Sequence, residues 1–146
     1  MNIKECVEFA SKNPICYLAT AAGDQPHVRA MRLDYANESG FYFATLNLKD
    51  ISKQLHQNPK VEVCFYNNAK DLMEIKMMRI RGTVEFIENA EVQARVAKER
   101  EDRGLDPIME EAIDPYVEVF RINCGDVRFW TVMDTMEEEK QKQLDF

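Results

Sequence analysis

Cationic side chains gather in one part of a chain that is otherwise acidic. Arg29 and Arg32 lie in the run Q-P-H-V-R-A-M-R-L-D-Y. Thr45, Asn47, Lys49 and Lys53 follow in F-A-T-L-N-L-K-D-I-S-K-Q-L-H-Q-N-P. The first run has strand character, and the second carries the end of a strand straight into a short helix. A helix N-terminus offers unpaired N–H groups and the positive end of aligned peptide dipoles, so it favours anions. Arg29, Thr45, Asn47 and Lys49 converge on that strand end, and the chemistry they offer is recognition of a phosphate-bearing ligand. Arg29 and Arg32 are three apart on a strand and point to opposite faces, so only one of them faces a given pocket. Lys49 and Lys53 share a helix face. Both pairs also read as ordinary solvated charges, and spacing alone does not decide.

Elsewhere the candidates are thinner. Arg79 and Arg81 alternate on one face of a long strand beside Met77, as an exposed barrel face would have them. Trp130, the single tryptophan, reads as a core or interface residue or as a stacking surface for a ligand. His27, next to Pro26 on a strand, reads as structural. No Ser-His-Asp set, carboxylate pair or G-x-G-x-x-G can be assembled, so no catalytic residue is assigned. The four cysteines form no C-x-x-C pair, and with two histidines in the chain no metal site is expected. Buried free thiols in a reducing compartment are the simpler reading.

A net charge of -7 argues against nucleic acid as a partner, because that binding rests on many cation–phosphate contacts. No apolar run approaches the ~20 residues a membrane helix needs, and the opening M-N-I-K-E-C-V-E lacks the apolar region of a signal peptide. A cytoplasmic protein is expected. At 146 residues the chain fits one domain, with a polar tail over about 134–146.

The elements that must position the cationic corner follow from periodicity. Ile3, Cys6, Val7 and Ala10 make an amphipathic helix over 2–12, ended by Asn13-Pro14. Strands are expected over 15–20, 27–35 and 41–45, in an antiparallel meander. A helix over about 48–57 has Asn47 as its cap, Asp50 in the manner of a capping box, and Ile51 and Leu55 as its buried stripe. Val61, Val63 and Phe65 alternate with polar neighbours in a half-buried strand. A long strand spans 72–87. A charged helix over 89–103 ends at Gly104 and covers an end of the barrel. A short helical piece lies between Pro107 and Pro115. Strands over 117–123 and 127–132 flank a hairpin-like turn at Cys124-Gly125-Asp126. The tail after Asp134 frays or forms a solvated helix. The sum is a mainly β (α+β) fold, a small antiparallel barrel of six or seven strands with flanking helices.

The runs G-D-Q-P-H-V-R-A-M, G-F-Y-F-A-T-L-N-L-K-D-I-S-K-Q-L-H-Q-N-P-K-V-E-V and R-I-R-G-T-V-E-F resemble the pyridoxamine 5′-phosphate oxidase-like family of flavin-binding proteins. The likeness covers roughly residues 14–86, and V-F-R-I-N-C-G-D-V-R-F-W-T fits the family's closing strands more loosely. It implies a six-stranded antiparallel split β-barrel that pairs as a homodimer and holds FMN between subunits. Arg29 would contact the FMN phosphate, and Ala30 and Met31 would line the isoalloxazine through backbone groups. Thr45, Asn47 and Lys49 would hold the phosphate and ribityl chain, with Lys53 close by; Trp130 joins these cofactor candidates from its own reading as a stacking surface, not from the resemblance. The true oxidases carry Ser-Arg-Lys where this chain has Lys49-Asp50-Ile51. Asp34 stands where a lysine is expected and Met77 where a glutamine is, and the C-terminal arginine grip on pyridoxal phosphate is missing. The expected activity is a small FMN-dependent oxidoreductase, passing electrons to or from a redox substrate such as NAD(P)H, and not a vitamin B6 oxidase. The alternatives are a non-catalytic FMN carrier or sensor, or a barrel for another anionic ligand such as haem or a deazaflavin.

Overall fold

The computed structural model describes residues 1–104, 107–136 and 143–146. The chain opens with α1 (Ile3–Lys12), whose cap is reciprocal: the Asn2 side chain accepts from the Glu5 amide and the Glu5 side chain accepts from the Asn2 amide. Next come β1 (Ile15–Ala22), β2 (Gln25–Arg32), β3 (Tyr35–Asn37), β4 (Gly40–Leu46) and α2 (Asp50–Gln57). These lead to β5 (Lys60–Tyr66), β6 (Lys76–Ile87), α3 (Ala90–Asp102), α4 (Pro107–Ile113), β7 (Val117–Thr131) and β8 (Gln143–Asp145).

The strands form one antiparallel sheet in the order β2-β1-β5-β6-β7-β4-β3, with β8 added to β7. Period-two alternation decides what each strand buries. Cys16 and Leu18, Phe41 and Phe43, Val63 and Phe65, Met78 and Ile80, and Phe120 and Ile122 all turn into one core. Ring packing tightens it, with Phe43 and Phe120 stacked at 5.4 Å between centroids. Helix α1 lays Cys6 and Ala10 on this core, and its Phe9 meets Phe129 edge-on at 5.3 Å. Burial pushes the Cys6 thiol up to about 11 and the Cys16 thiol up to about 12, so both behave as small apolar groups. The thiol reading holds for these two; Cys64 is half-buried and Cys124 is exposed.

The ends of the strand path, β2 on one side and β4–β3 on the other, leave a seam. At one end the chain itself crosses it, where the Asp34 amide donates to the Tyr42 carbonyl at 2.9 Å. At the other end α2 fills it. Ile51 and Leu55 bury there, and Glu118 of β7 fastens the helix, accepting from the Ser52 hydroxyl and meeting His56 Nε2 at 3.0 Å. The His56 ring also stacks on Phe86 at 3.9 Å. The barrel is therefore split, with a helix wedged in the split.

Several expectations change. The strands do not form a meander: β2 pairs only β1, and the chain crosses to the opposite edge to begin β3 and β4. Among the described residues eight strands replace six or seven, because Tyr35 starts a strand of its own and Gln143–Asp145 adds another. Residues 124–126 make no hairpin, and β7 runs through them without a break. Gly125, at φ +147, sits opposite Gly82, and a Cβ there would lie 1.9 Å from the Arg81 carbonyl oxygen. The glycine permits close passage of two strands rather than a turn. The end of the tail is not a frayed helix. Asp145 to Asp126 and Gln143 to Arg128 pair β8 with β7, and Phe146 packs edge-on against Phe41 at 5.7 Å. The rest of that expectation, over 137–142, lies outside the described residues.

Helix α3 covers an outer face rather than a barrel end: its Val96 buries against Tyr35, Tyr42 and Val119. The long strand starts at Lys76, after a 3-10 turn over Leu72–Glu74. Asn47 does not cap α2. Lys49 is the capping position and makes no side-chain cap, while the Asn47 amide is drawn off to the Tyr116 carbonyl at 2.8 Å.

Candidate functional site

The seam beside α2 holds a cavity of about 450 Å³. Its walls are β2 from His27 to Met31, Ala44 and Thr45 of β4, and Lys49, Asp50, Ile51 and Gln54 at the start of α2. Among the described residues strand β2 has one partner, so its other backbone edge opens toward the cavity. The N-terminus of α2 supplies the amides and dipole end that an anion seeks.

Arg29 is built into this corner. Its Nη1 donates to the Thr20 hydroxyl at 2.8 Å and to the Leu18 carbonyl at 3.3 Å. Its Nη2 donates to Gln54 Oε1 at 2.6 Å. Thr20, which is buried, also donates its hydroxyl to Gln54 Oε1 at 2.6 Å. Every one of these acceptors is neutral, so the guanidinium keeps its charge undiminished by a contact carboxylate. Burial lowers its pKa, with Asp50 pulling the other way, but an arginine stays protonated. Asp50 itself is 87% exposed and turned to Lys53 at 3.8 Å, away from close contact with Arg29.

Of the eight residues singled out in the sequence, Arg29, Ala30, Met31, Thr45 and Lys49 line this one cavity. Asn47, Lys53 and Trp130 do not. Asn47 is held by the Tyr116 carbonyl, and Lys53 pairs with Asp50 on the solvent side of α2. Trp130 sits opposite Met77 on the outer side of β6 and β7, on the face opposite core-facing Phe129. Arg32 faces away, as its spacing from Arg29 requires. It lines a separate cavity of about 460 Å³ with Arg100 and Arg103. There Arg103 pairs with Asp34, whose carboxyl burial raises even so. Sequence reading missed Thr20 and Gln54; the one signal for Gln54 was its place in K-Q-L-x-x-N-P. His27, which reads from the sequence as structural, stands in the cavity wall. Among the described residues no group of three or more His, Cys, Asp or Glu could hold a metal, and no helix is long and apolar enough to cross a membrane.

A split barrel with a cation-lined seam defines a class, and comparison with known proteins gives that class a family. The family model described as pyridoxamine 5′-phosphate oxidase matches residues 3–131, and the chain belongs to that family. No curated protein matches the chain by sequence. Among solved structures, a NimC/NimA family protein from Clostridium acetobutylicum is similar at 23% identity and TM-score 0.75, over 98% of this chain and 91% of that one. A putative pyridoxamine 5′-phosphate oxidase from Listeria innocua is similar at 17% identity and TM-score 0.66, over 82% of this chain and 90% of that one. The haem storage protein HutZ from Vibrio cholerae shares 21% identity and a TM-score of 0.62, over 82% of this chain and 87% of that one. At these identities the likenesses carry the fold.

Proposed function

We propose that the seam cavity binds FMN and that the protein is a small FMN-dependent oxidoreductase. The observation that carries this reading is the convergence of Arg29, Lys49 and the N-terminus of α2 on one cavity bordered by the open edge of β2. The residues present fit the cofactor part by part. Arg29, Lys49, Thr45 and the α2 amides suit a phosphate, and Ala30 and Met31 offer a flat backbone edge to a ring system. The cavity volume falls in the range of small-molecule sites. When bound, the flavin supplies the one- and two-electron chemistry. The chain's own residues grip the phosphate, orient the ring along β2 and leave one ring face open to a partner such as NAD(P)H.

A homodimer belongs to the same reading. The outer side of β1 and β2 exposes Ile15, Tyr17 and Val28, at 50%, 50% and 70%, around the open flank of the cavity. A second copy laid there would close the flank, and Met77 and Trp130 stand on the outer side of the same sheet.

The second reading is haem, favoured by His27 in the cavity wall and by the haem storage protein among the structural relatives. Absorbance of the purified or reconstituted protein separates the two: flavin bands support the proposal, and a Soret band with no flavin overturns it. Anaerobic bleaching by NAD(P)H distinguishes a reductase from an FMN carrier or sensor. Light scattering at micromolar concentration is expected to give twice the chain mass, and a monomer would contradict the dimer.

A further inference from the structure

The Arg29 guanidinium has five N–H donors, and three of them are spent inside the protein, on Leu18, Thr20 and Gln54. The Thr20 hydroxyl and the Gln54 carbonyl oxygen are themselves 2.6 Å apart and bonded to each other. Two acceptors that close together, one on Nη1 and one on Nη2, occupy the edge between those two nitrogens. The edge left over is the one formed by Nε–H and the outer Nη2–H, a parallel pair suited to a bidentate grip on an oxyanion. Gln54 stands on α2, which Ser52 and Glu118 tie to β7; Thr20 stands on β1. The guanidinium is thus clamped from two elements, by groups that carry no charge.

We infer that Gln54, with Thr20 behind it, is the positioning residue of the phosphate corner: it turns the free edge of Arg29 to the cavity and makes the site select the phosphomonoester of FMN over uncharged riboflavin. This rests on the FMN reading of the cavity. Gln54 touches no part of the ligand in this role and acts only through Arg29. A carboxylate in its place would hold the guanidinium as well but would cancel the charge the phosphate needs.

The test has two arms. In the first, FMN and riboflavin are titrated into wild type, Gln54→Leu, Arg29→Ala and the double variant, with thermal melts confirming that each is folded. Gln54→Leu is expected to weaken FMN about tenfold, to leave riboflavin unchanged and to add nothing in the Arg29→Ala background. Equal weakening of both ligands, or a full additional loss in the double variant, would overturn the inference and leave Gln54 a packing residue. In the second arm, ¹⁵N spectra of the ligand-free protein follow the Arg29 Nη groups. Clamped groups give resolved Nη signals in wild type, which collapse in Gln54→Leu and return in Gln54→Glu, whose oxygen has the same reach. Nη signals unaffected by Gln54→Leu would equally overturn it. Should wild type take up no FMN, the cofactor reading falls, while the Nη signals still decide whether Gln54 positions Arg29.

Discussion

Two regions of this molecule hold arginines in opposite ways. In the seam, Arg29 is bonded, among the described residues, to a carbonyl, a hydroxyl and an amide oxygen. On the outer face of β5, β6 and β7, arginines meet carboxylates. Arg81 donates twice to Asp126, at 3.0 and 3.2 Å, and Arg128 Nε lies 3.5 Å from the same oxygen. Glu62 and Arg79 complete that cluster around a cavity of only about 110 Å³. Neutral acceptors fix an arginine without consuming its charge; carboxylates fix it and neutralise it. The first arrangement is suited to waiting for an anion, and the second to holding strands together. The same residue type, on separate strands of one sheet, is thereby left charged and available in one place and neutralised in another.

Single substitutions separate the two regions. The largest effect is expected on the structural side, where Gly125→Ala forces a Cβ to within 1.9 Å of the Arg81 carbonyl oxygen at a φ of +147. Urea unfolding should show a loss of about 3 kcal/mol or more, with FMN affinity of the remaining folded protein unchanged. A variant as stable as wild type would mean that the crossing of β6 and β7 is looser than described. Next, Arg29→Ala should weaken FMN by about 10- to 100-fold, as expected for a lost charged hydrogen bond. Its melting temperature should also fall by several degrees, because three part-buried hydrogen bonds from a charged donor are lost. The smallest change is expected for Asp126→Asn. Arg81 and Arg128 lose their shared charge, and the melting temperature should fall by about 2–4 °C while FMN binding is untouched. If Asp126→Asn altered FMN affinity instead, the two regions would not be separable.

Much of this was legible in the sequence where the signal is local. The period of two in Val61, Val63 and Phe65, and the Ile51–Leu55 stripe of α2, predicted their burial correctly because a short window contains the whole pattern. The grouping of Thr45 and Lys49 was legible because a strand end running into a helix start places them together, whereas Arg29 reaches them only where the two edges of the sheet approach. What failed was non-local. Gly125 carries the same letter in a turn and at a strand crossing, and only its partner Gly82, far along the chain, tells them apart. The strand formed by Gln143–Asp145 depends likewise on Asp126–Arg128, which no periodicity within the tail can announce. The support beneath Arg29 comes from Thr20 and Gln54, nine residues before it and 25 after, and no spacing rule links them. Asn47 misled because its side chain suits a cap, whereas its amide was claimed by Tyr116.

Whether the seam grips a phosphate is tested most directly by measuring FMN and riboflavin affinity side by side on the ligand-free protein and on Arg29→Ala. Wild type should prefer FMN by about 100-fold or more, and the preference should shrink by at least about tenfold once Arg29 is removed. Equal affinity of wild type for the two flavins, or a preference that survives intact without Arg29, would contradict a phosphate grip there.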